Sequence, residues 1–280
     1  MRIGNLEGRA VLIADGSALD VAHASSGAFG PSSRAVFERW DEFREWAQAQ
    51  DPAQGEPFTP EQLGAPVPHP PQVFGIGLNY RDHAVEGGLA LPEEPMVFTK
   101  FPSSITGPHA QVRLPSDRVD YEVELVVVIG KGGFGIAAEN AWDHVAGLTI
   151  GQDLSDRAVQ FRDQPPQFSL GKSLPGFAPI GPVMVTPDEF KDPNRLTIAC
   201  RSGDATLQDG TTADMVFPVA ELIARLSAVV TLLPGDLIFT GTPAGVGAVQ
   251  DPPRYICPGE VITSSIEGIG QMRTTFILGE

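Results

Sequence analysis

Cysteine is scarce in this 280-residue chain, and so is basic charge. Its two cysteines, Cys200 and Cys257, form no CxxC pattern and have no motif around them. Both are therefore expected as free thiols buried in the core, not as nucleophiles. Lys and Arg total 19 against 35 Asp and Glu, a net charge of −16. That argues against nucleic acid or an anionic membrane as partner, since both need a basic surface. An anionic substrate would need local cations or a metal to overcome the field. No apolar run approaches the ~20 residues that a membrane span requires. No secretory leader precedes the first strand-like run, RAVLIAD at 9–15, so a soluble cytoplasmic protein is expected. Nucleotide loops are missing too: no GxGxxG leads from strand to helix, and TGTPAGVG at 240–247 lacks a GK[ST] ending. The glycines of that segment are expected to permit tight turns and close backbone approach to a small ligand.

What the chain does have is 31 Gly and 26 Pro with only 19% charged residues, which suggests many turns and short strands in place of a helical bundle. Residues 1–65 read as a small N-terminal α/β unit. In SRAVFERWDEFREWAQAQ at 33–50, Val36, Phe37, Trp40, Phe43 and Ala47 recur at helical spacing, as core-facing residues do. PVPHPP at 66–71 is too proline-rich for helix or central strand and reads as a stiff linker. From 72 to 280 strands are expected near 73–80, 95–100, 111–114, 120–130, 147–153, 181–186, 196–201, 236–241, 260–265 and 271–278. A short helix or ordered loop is expected over RDHAVEGG at 81–88, and helices near 137–145 and 214–227, with Pro218 tolerable only near the start of the last. There is no internal repeat. The fold class is a β-rich α+β domain, not an alternating βαβ chain.

Chemistry concentrates in DYEVEL at 120–125 and GQDLSDR at 151–157. Strand residues alternate sides, so Glu122 and Glu124 share one face while Tyr121, Val123 and Leu125 take the other. VVVIG follows, strongly β-forming, and two carboxylates on one side of a core strand are costly unless something positive compensates them. Asp153 can supply a third from a neighbouring element. Three oxygen ligands without sulfur or imidazole suit Mg²⁺ or Mn²⁺, and Ca²⁺ less well. On these residues alone, two solvated glutamates on a wet strand face are the competing reading. His83 and Glu86 are three apart, so on a helical turn Glu86 can orient the imidazole; a plain surface ion pair is the alternative. Lys172, between Gly171 and Ser173, is either a fixed cation for a developing oxyanion or an ordinary surface lysine. Arg157 suits bidentate binding of a carboxylate. His23, His69, His109 and His144 have no partner at useful spacing, and Glu93 and Glu94 read as solvated.

With NYRDHAVE, FTKFPSS, DYEVEL, GQDLSDR, GKS and TGTPAGVG in this order, residues 70–280 resemble the fumarylacetoacetate hydrolase family. The resemblance implies a mixed β-sheet roll preceded by a small N-terminal domain, a homodimer, and a divalent cation, most often Mg²⁺. It carries Glu122, Glu124 and Asp153 onto the metal ligands, and His83 with Glu86 onto the histidine–glutamate pair of the hydrolytic acylpyruvase branch, borne on a lid. Lys172 matches the active-site lysine, Arg157 and Gln160 match substrate-contacting positions, and Thr242 matches a threonine near the substrate carboxylate. Lys100 lies in the family's FxKxPSS-like segment. The implied activity is hydrolysis of a C–C bond in a 2,4-dioxo acid of the acylpyruvate type, a small anionic substrate. His83 would activate water, Lys172 would meet the oxyanion, and pyruvate or a related 2-oxo acid would leave with a carboxylic acid. An oxaloacetate-type decarboxylase or dienoate isomerase would use the same metal site, and a non-catalytic scaffold holding structural Ca²⁺ lies outside enzymology. RSGD at 201–204 stands where many members have an Asn-Gly turn, and FRDQPPQFS at 161–169 is proline-rich, so substrate identity transfers less well than the metal site.

Overall fold

The computed structural model describes residues 1–279. Its centre is the strand Val123–Ile129, every residue of which is buried. The strand separates two cores. Val123, Leu125, Val127 and Ile129 pack into one, with Ile198, Leu222, Ile223, Ile266 and Phe276. Val126 and Val128 pack into the other, with Phe37, Trp40, Phe43, Ile180 and Phe239. Aliphatic side chains facing both ways on a strand need cover on both faces, and this one has it. Each such buried side chain contributes about 1.5–3 kcal/mol.

A large mixed sheet surrounds this strand. In order across it run Glu56–Pro57, Ser17–Asp20, Arg9–Ala14, Arg2–Leu6, Ala178–Val185, Val145–Gln152, Val123–Ile129, Leu237–Phe239, Val73–Gly77 and the edge strand Met96–Thr99. Most neighbours are antiparallel, but Leu237–Phe239 runs parallel to Val73–Gly77. A second, five-stranded sheet has the order Ala205–Thr211, Thr197–Ser202, Val261–Ile266, Gly270–Leu278 and Gln111–Leu114. The first core lies between these sheets, as expected of the family's roll.

Residues 1–65 add their strands to the large sheet through the antiparallel pairing of Arg2 with Val185 and Ile3 with Met184. The sheet therefore runs unbroken across the segment 66–71, in which Val67 and Pro70 are buried. The helical stretch expected over 33–50 is two helices, Ser33–Glu38 and Trp40–Gln48, separated by Arg39 at φ −137°. Its aromatic face packs as predicted, with Phe29 edge-on to Phe43 at 5.4 Å. The helix expected near 137–145 is a 3-10 helix, Ala138–His144. The one expected over 214–227 starts later, at Val219–Ser227, because Pro218 takes extended backbone at φ −60°, ψ 161° and caps it. Cys200 is buried as expected, but Cys257 is exposed, on the turn before Val261–Ile266.

Candidate functional site

The acidic cluster arises where the sheet's second core ends. On Val123–Ile129 the even-numbered face changes from Val128 and Val126 to Glu124, then Glu122 and Asp120 beyond the strand. Asp153 follows the neighbouring strand directly, its backbone N–H donating to Glu122 O at 2.9 Å. Gln152 fixes this junction: its Oε1 accepts from Glu122 N at 3.0 Å and its Nε2 donates to Ser264 Oγ at 2.9 Å. One oxygen from each of Glu122, Glu124 and Asp153 lies within 4.8 Å of the others, and all three residues are buried.

Three buried cations face these acids. Lys172 Nζ donates to Glu122 Oε2 at 2.8 Å and to Asp153 Oδ2 at 2.6 Å. Lys100 Nζ donates to Asp153 Oδ1 at 2.5 Å and also to the carbonyl of Lys172. Arg157 forks: Nε and Nη2 reach Asp120 Oδ2 at 2.9 and 2.8 Å, Nη2 reaches Glu122 Oε1 at 2.5 Å, and Nη1 reaches Gln160 Oε1 at 2.7 Å. Burial raises the Glu122 carboxyl, but Lys172 and Arg157 outweigh it and hold the group at about 2. Glu124 has no such neighbour. Burial, then the charges of Asp153 and Glu122, push it well above the usual carboxylate range, against the opposing charge of Lys172 and the Gly241 N–H at 2.8 Å. Burial lowers both lysines; Asp153 and Glu122 carry Lys172 back above its ordinary value, while Lys100 stays below it.

The motif residues around the cluster explain one another. Gly171 lets Lys172 approach, since a Cβ there would stand 3.0 Å from Asp156 O and Gln160 N. Ser173 Oγ donates to Ser169 O at 2.6 Å and accepts from Phe101 N at 3.0 Å, so GKS is tied to the segment bearing Lys100. Asp156 caps the short helix Arg157–Gln160, accepting from Ala158 N and Val159 N at 2.9 and 3.2 Å. The helix Arg81–Glu86 docks on the 240–247 segment through two carboxylates: Asp82 Oδ2 accepts from Ala244 N at 3.3 Å and Glu86 Oε1 from Gly245 N at 2.9 Å. Glu86 Oε2 then meets His83 Nδ1 at 3.2 Å, as the spacing predicted. Glycines in that segment allow close approach to the chain itself. A Cβ at Gly241 (φ +96°) would lie 2.7 Å from Asn79 Cβ, and one at Gly245 (φ +104°) 2.1 Å from Leu207 O.

A cavity of about 350 Å³ opens beside the cluster. Of the residues expected from sequence, His83, Glu122, Glu124, Arg157, Gln160, Lys172 and Thr242 line it. Glu86, Lys100 and Asp153 stand behind that lining, each bonded to a member of it: Glu86 to His83, and Lys100 and Asp153 to Lys172. Lys172 is buried and is no surface lysine. Thr242 has its hydroxyl proton committed to Val123 O at 2.9 Å and accepts from Gln208 Nε2 at 2.7 Å, so toward a ligand it can only accept. Sequence reading assigned no role to Asp120, which takes Gly247 N and Ala248 N at 2.9 and 3.0 Å while clamping Arg157. Its even position beside Glu122 and Glu124 was the available signal. Phe161 and Phe168, which line the cavity, lie in the proline-rich segment 161–169 that the sequence singled out, and Phe98 lies in FTKFPSS; Leu89 and Gln208 carried no signal.

The residues fit a hard divalent cation. All donors are carboxylate oxygens, and four buried acids, Asp120, Glu122, Glu124 and Asp153, stand against three buried cations, leaving Glu124 short of positive charge.

The fumarylacetoacetate (FAA) hydrolase C-terminal family matches residues 72–277. A human protein, oxaloacetate tautomerase FAHD2A, mitochondrial, is 47% identical over 208 residues, covering 74% of this chain and 66% of its own length. The chain thus spans just under two thirds of that curated relative. A solved structure from Mycobacterium smegmatis, assigned as an HpcE protein, is 48% identical with a TM-score of 0.95, both chains covered in full. Maleylpyruvate hydrolase from Sphingobium sp. SYK-6, solved with manganese(II) and pyruvate, is 27% identical with a TM-score of 0.80 over the whole of both chains. Ordered motifs, roll and acidic cluster agree with these matches: the chain belongs to the fumarylacetoacetate hydrolase family.

Proposed function

We propose that the chain hydrolyses a C–C bond in a 2,4-dioxo acid, with a divalent cation, Mg²⁺ or Mn²⁺, held by Glu122, Glu124 and Asp153. The observation that carries this reading is the placement of His83, backed by Glu86, on the wall of the same cavity as Glu122, Glu124 and Lys172. When bound, the ion supplies Lewis acidity that favours the enolate charge of a 2-oxo acid. The chain's own groups do the rest. Glu86 accepts the Nδ1 proton of His83, which leaves Nε2 with the lone pair and able to take a proton from water. The water oxygen bonds to C4, Lys172 offers its ammonium to the oxyanion, and the C3–C4 bond breaks with its electron pair on C3. C3 then takes up a proton, giving a pyruvate-type acid, and the acyl group leaves as a carboxylic acid. Gln160 supports the binding role: its Nε2 is buried without a partner while its Oε1 is held by Arg157.

A second reading is supported by the human relative's name. Tautomerising a 2-oxo acid needs the same cation and a single proton carrier, without attack by water. The family's homodimer is proposed on the resemblance alone.

Metal-stripped protein assayed with acetopyruvate and oxaloacetate, with and without Mg²⁺, tests both. Mg²⁺-dependent release of pyruvate and acetate supports hydrolysis. Loss of the oxaloacetate enol absorbance without any cleavage supports tautomerisation. Undiminished turnover by Glu122→Gln or Asp153→Asn in chelator would refute both.

A further inference from the structure

The cavity has two unlike walls. Glu122, Glu124, Arg157, Gln160 and Lys172 form one; Ile76, Leu89, Met96, Phe98, Phe161 and Phe168 contribute to the other. The only basic residues among those lining it are His83, Arg157 and Lys172, and all three already face acids: Glu86, Asp120 with Glu122, and Glu122 with Asp153. The apolar wall has none. Phe98 and Phe168 stack with their planes tilted by 27° and ring centres 6.0 Å apart, and the Lys172 ammonium sits 5.0 Å over the Phe98 ring. That contact marks the boundary between the charged wall and the apolar one. Leu89, Met96 and Phe161 line the cavity while 58%, 41% and 52% exposed, so they hold apolar surface that a ligand can cover.

We infer that the substituent carried by the 2-oxo acid is uncharged and apolar, an aryl or branched alkyl group lying against Phe98, Phe161 and Phe168. The chain therefore prefers such substrates to dicarboxylates such as oxaloacetate. This rests on the 2-oxo-acid reading above and deepens it. A second carboxylate laid on the apolar wall would lose its hydration with no cation to replace it. An aryl ring there would gain by burial.

The test measures binding of phenylpyruvate, pyruvate and oxaloacetate to the Mg²⁺-loaded protein by calorimetry, and kcat/KM for benzoylpyruvate, acetopyruvate and oxaloacetate. Phenylpyruvate is expected to bind about 10- to 100-fold tighter than either other acid, and benzoylpyruvate to exceed acetopyruvate similarly in kcat/KM. Phe161→Arg puts a cation on the apolar wall at a half-exposed position and should reduce the phenylpyruvate-to-oxaloacetate ratio at least tenfold. Oxaloacetate binding as tightly as phenylpyruvate, or an unchanged ratio in Phe161→Arg, would overturn the inference. Tight phenylpyruvate binding without cleavage of any dioxo acid would sustain it while removing the hydrolytic reading. Cleavage with dicarboxylates preferred would do the reverse.

Discussion

Replacing Lys100 by Met removes one side of an ion pair that the fold encloses completely. Lys100 and Asp153 are both fully buried and meet at 2.5 Å, so neither gains screening from water. A methionine fills much of the same volume but leaves Asp153 Oδ1 without its donor, while Oδ2 keeps Lys172 at 2.6 Å. Breaking a buried pair from one side costs about 3–5 kcal/mol, a large part of the roughly 5–15 kcal/mol that holds a domain folded. At about 2 °C per kcal/mol for a chain of this size, Tm should fall by about 6–10 °C in chelator. Excess Mg²⁺ should return much of that loss, because a cation on the carboxylates replaces the missing charge, and ligand binding to the native state adds stability by mass action. Lys100→Met with Asp153→Asn should be more stable in chelator than Lys100→Met alone. Calorimetry of these proteins with and without Mg²⁺ reads all of this. Equal Tm values for wild type and Lys100→Met in chelator would refute the argument that this lysine compensates Asp153.

Three further outcomes follow from other parts of the molecule. Glu86→Gln leaves the loop contact to Gly245 possible but weakens the hold on His83, and His83→Ala removes the base; dioxo-acid hydrolysis should fall about 10²- to 10⁴-fold in the second, with Tm little changed and metal affinity intact. Burial pushes the Asp236 carboxyl up to about 6, against bonds from Leu233 N and Gln72 Nε2, both at 2.7 Å. A raised carboxyl holds its proton longer in the folded chain, so its contribution to stability is present below about pH 4 and lost as pH rises through 6. The stability of Asp236→Asn relative to wild type should therefore rise by about 2 kcal/mol between pH 4 and pH 7 in urea titrations. In a thiol-reagent assay the native protein should show one fast cysteine, Cys257, with Cys200 reacting only after denaturation, because burial pushes the Cys200 thiol up to about 12.

The parts legible in the sequence were those set by local rules. Strand alternation placed Glu122 and Glu124 together, and the i, i+3 spacing joined His83 to Glu86. Boundaries erred in two places: Pro218 delays one helix by removing the N–H that an earlier turn would need, while the break at Arg39, a good helix former, has no local signal in the sequence. Long-range pairing was not legible. Nothing in RIGNL announces that it pairs with the strand ending at Val185, so the N-terminal strands could not be seen to extend the large sheet. Side-chain bonds to distant backbone were hidden for the same reason. Asn79 spans from Phe217 to Thr240, and Gln208 connects Val123 to Thr242, through contacts 34 to 161 residues apart in sequence. Cys257 was misplaced because a cysteine's usual burial is a statistical habit, which a turn at the sheet's edge overrides.

The most direct test of the central claim is a Mn²⁺ titration of metal-stripped protein, following the electron-paramagnetic-resonance signal of the free ion, with Asp153→Asn in parallel. The account predicts one ion per wild-type chain and at least tenfold weaker binding in the variant. No binding by wild type, or equal affinity in the two proteins, would contradict it.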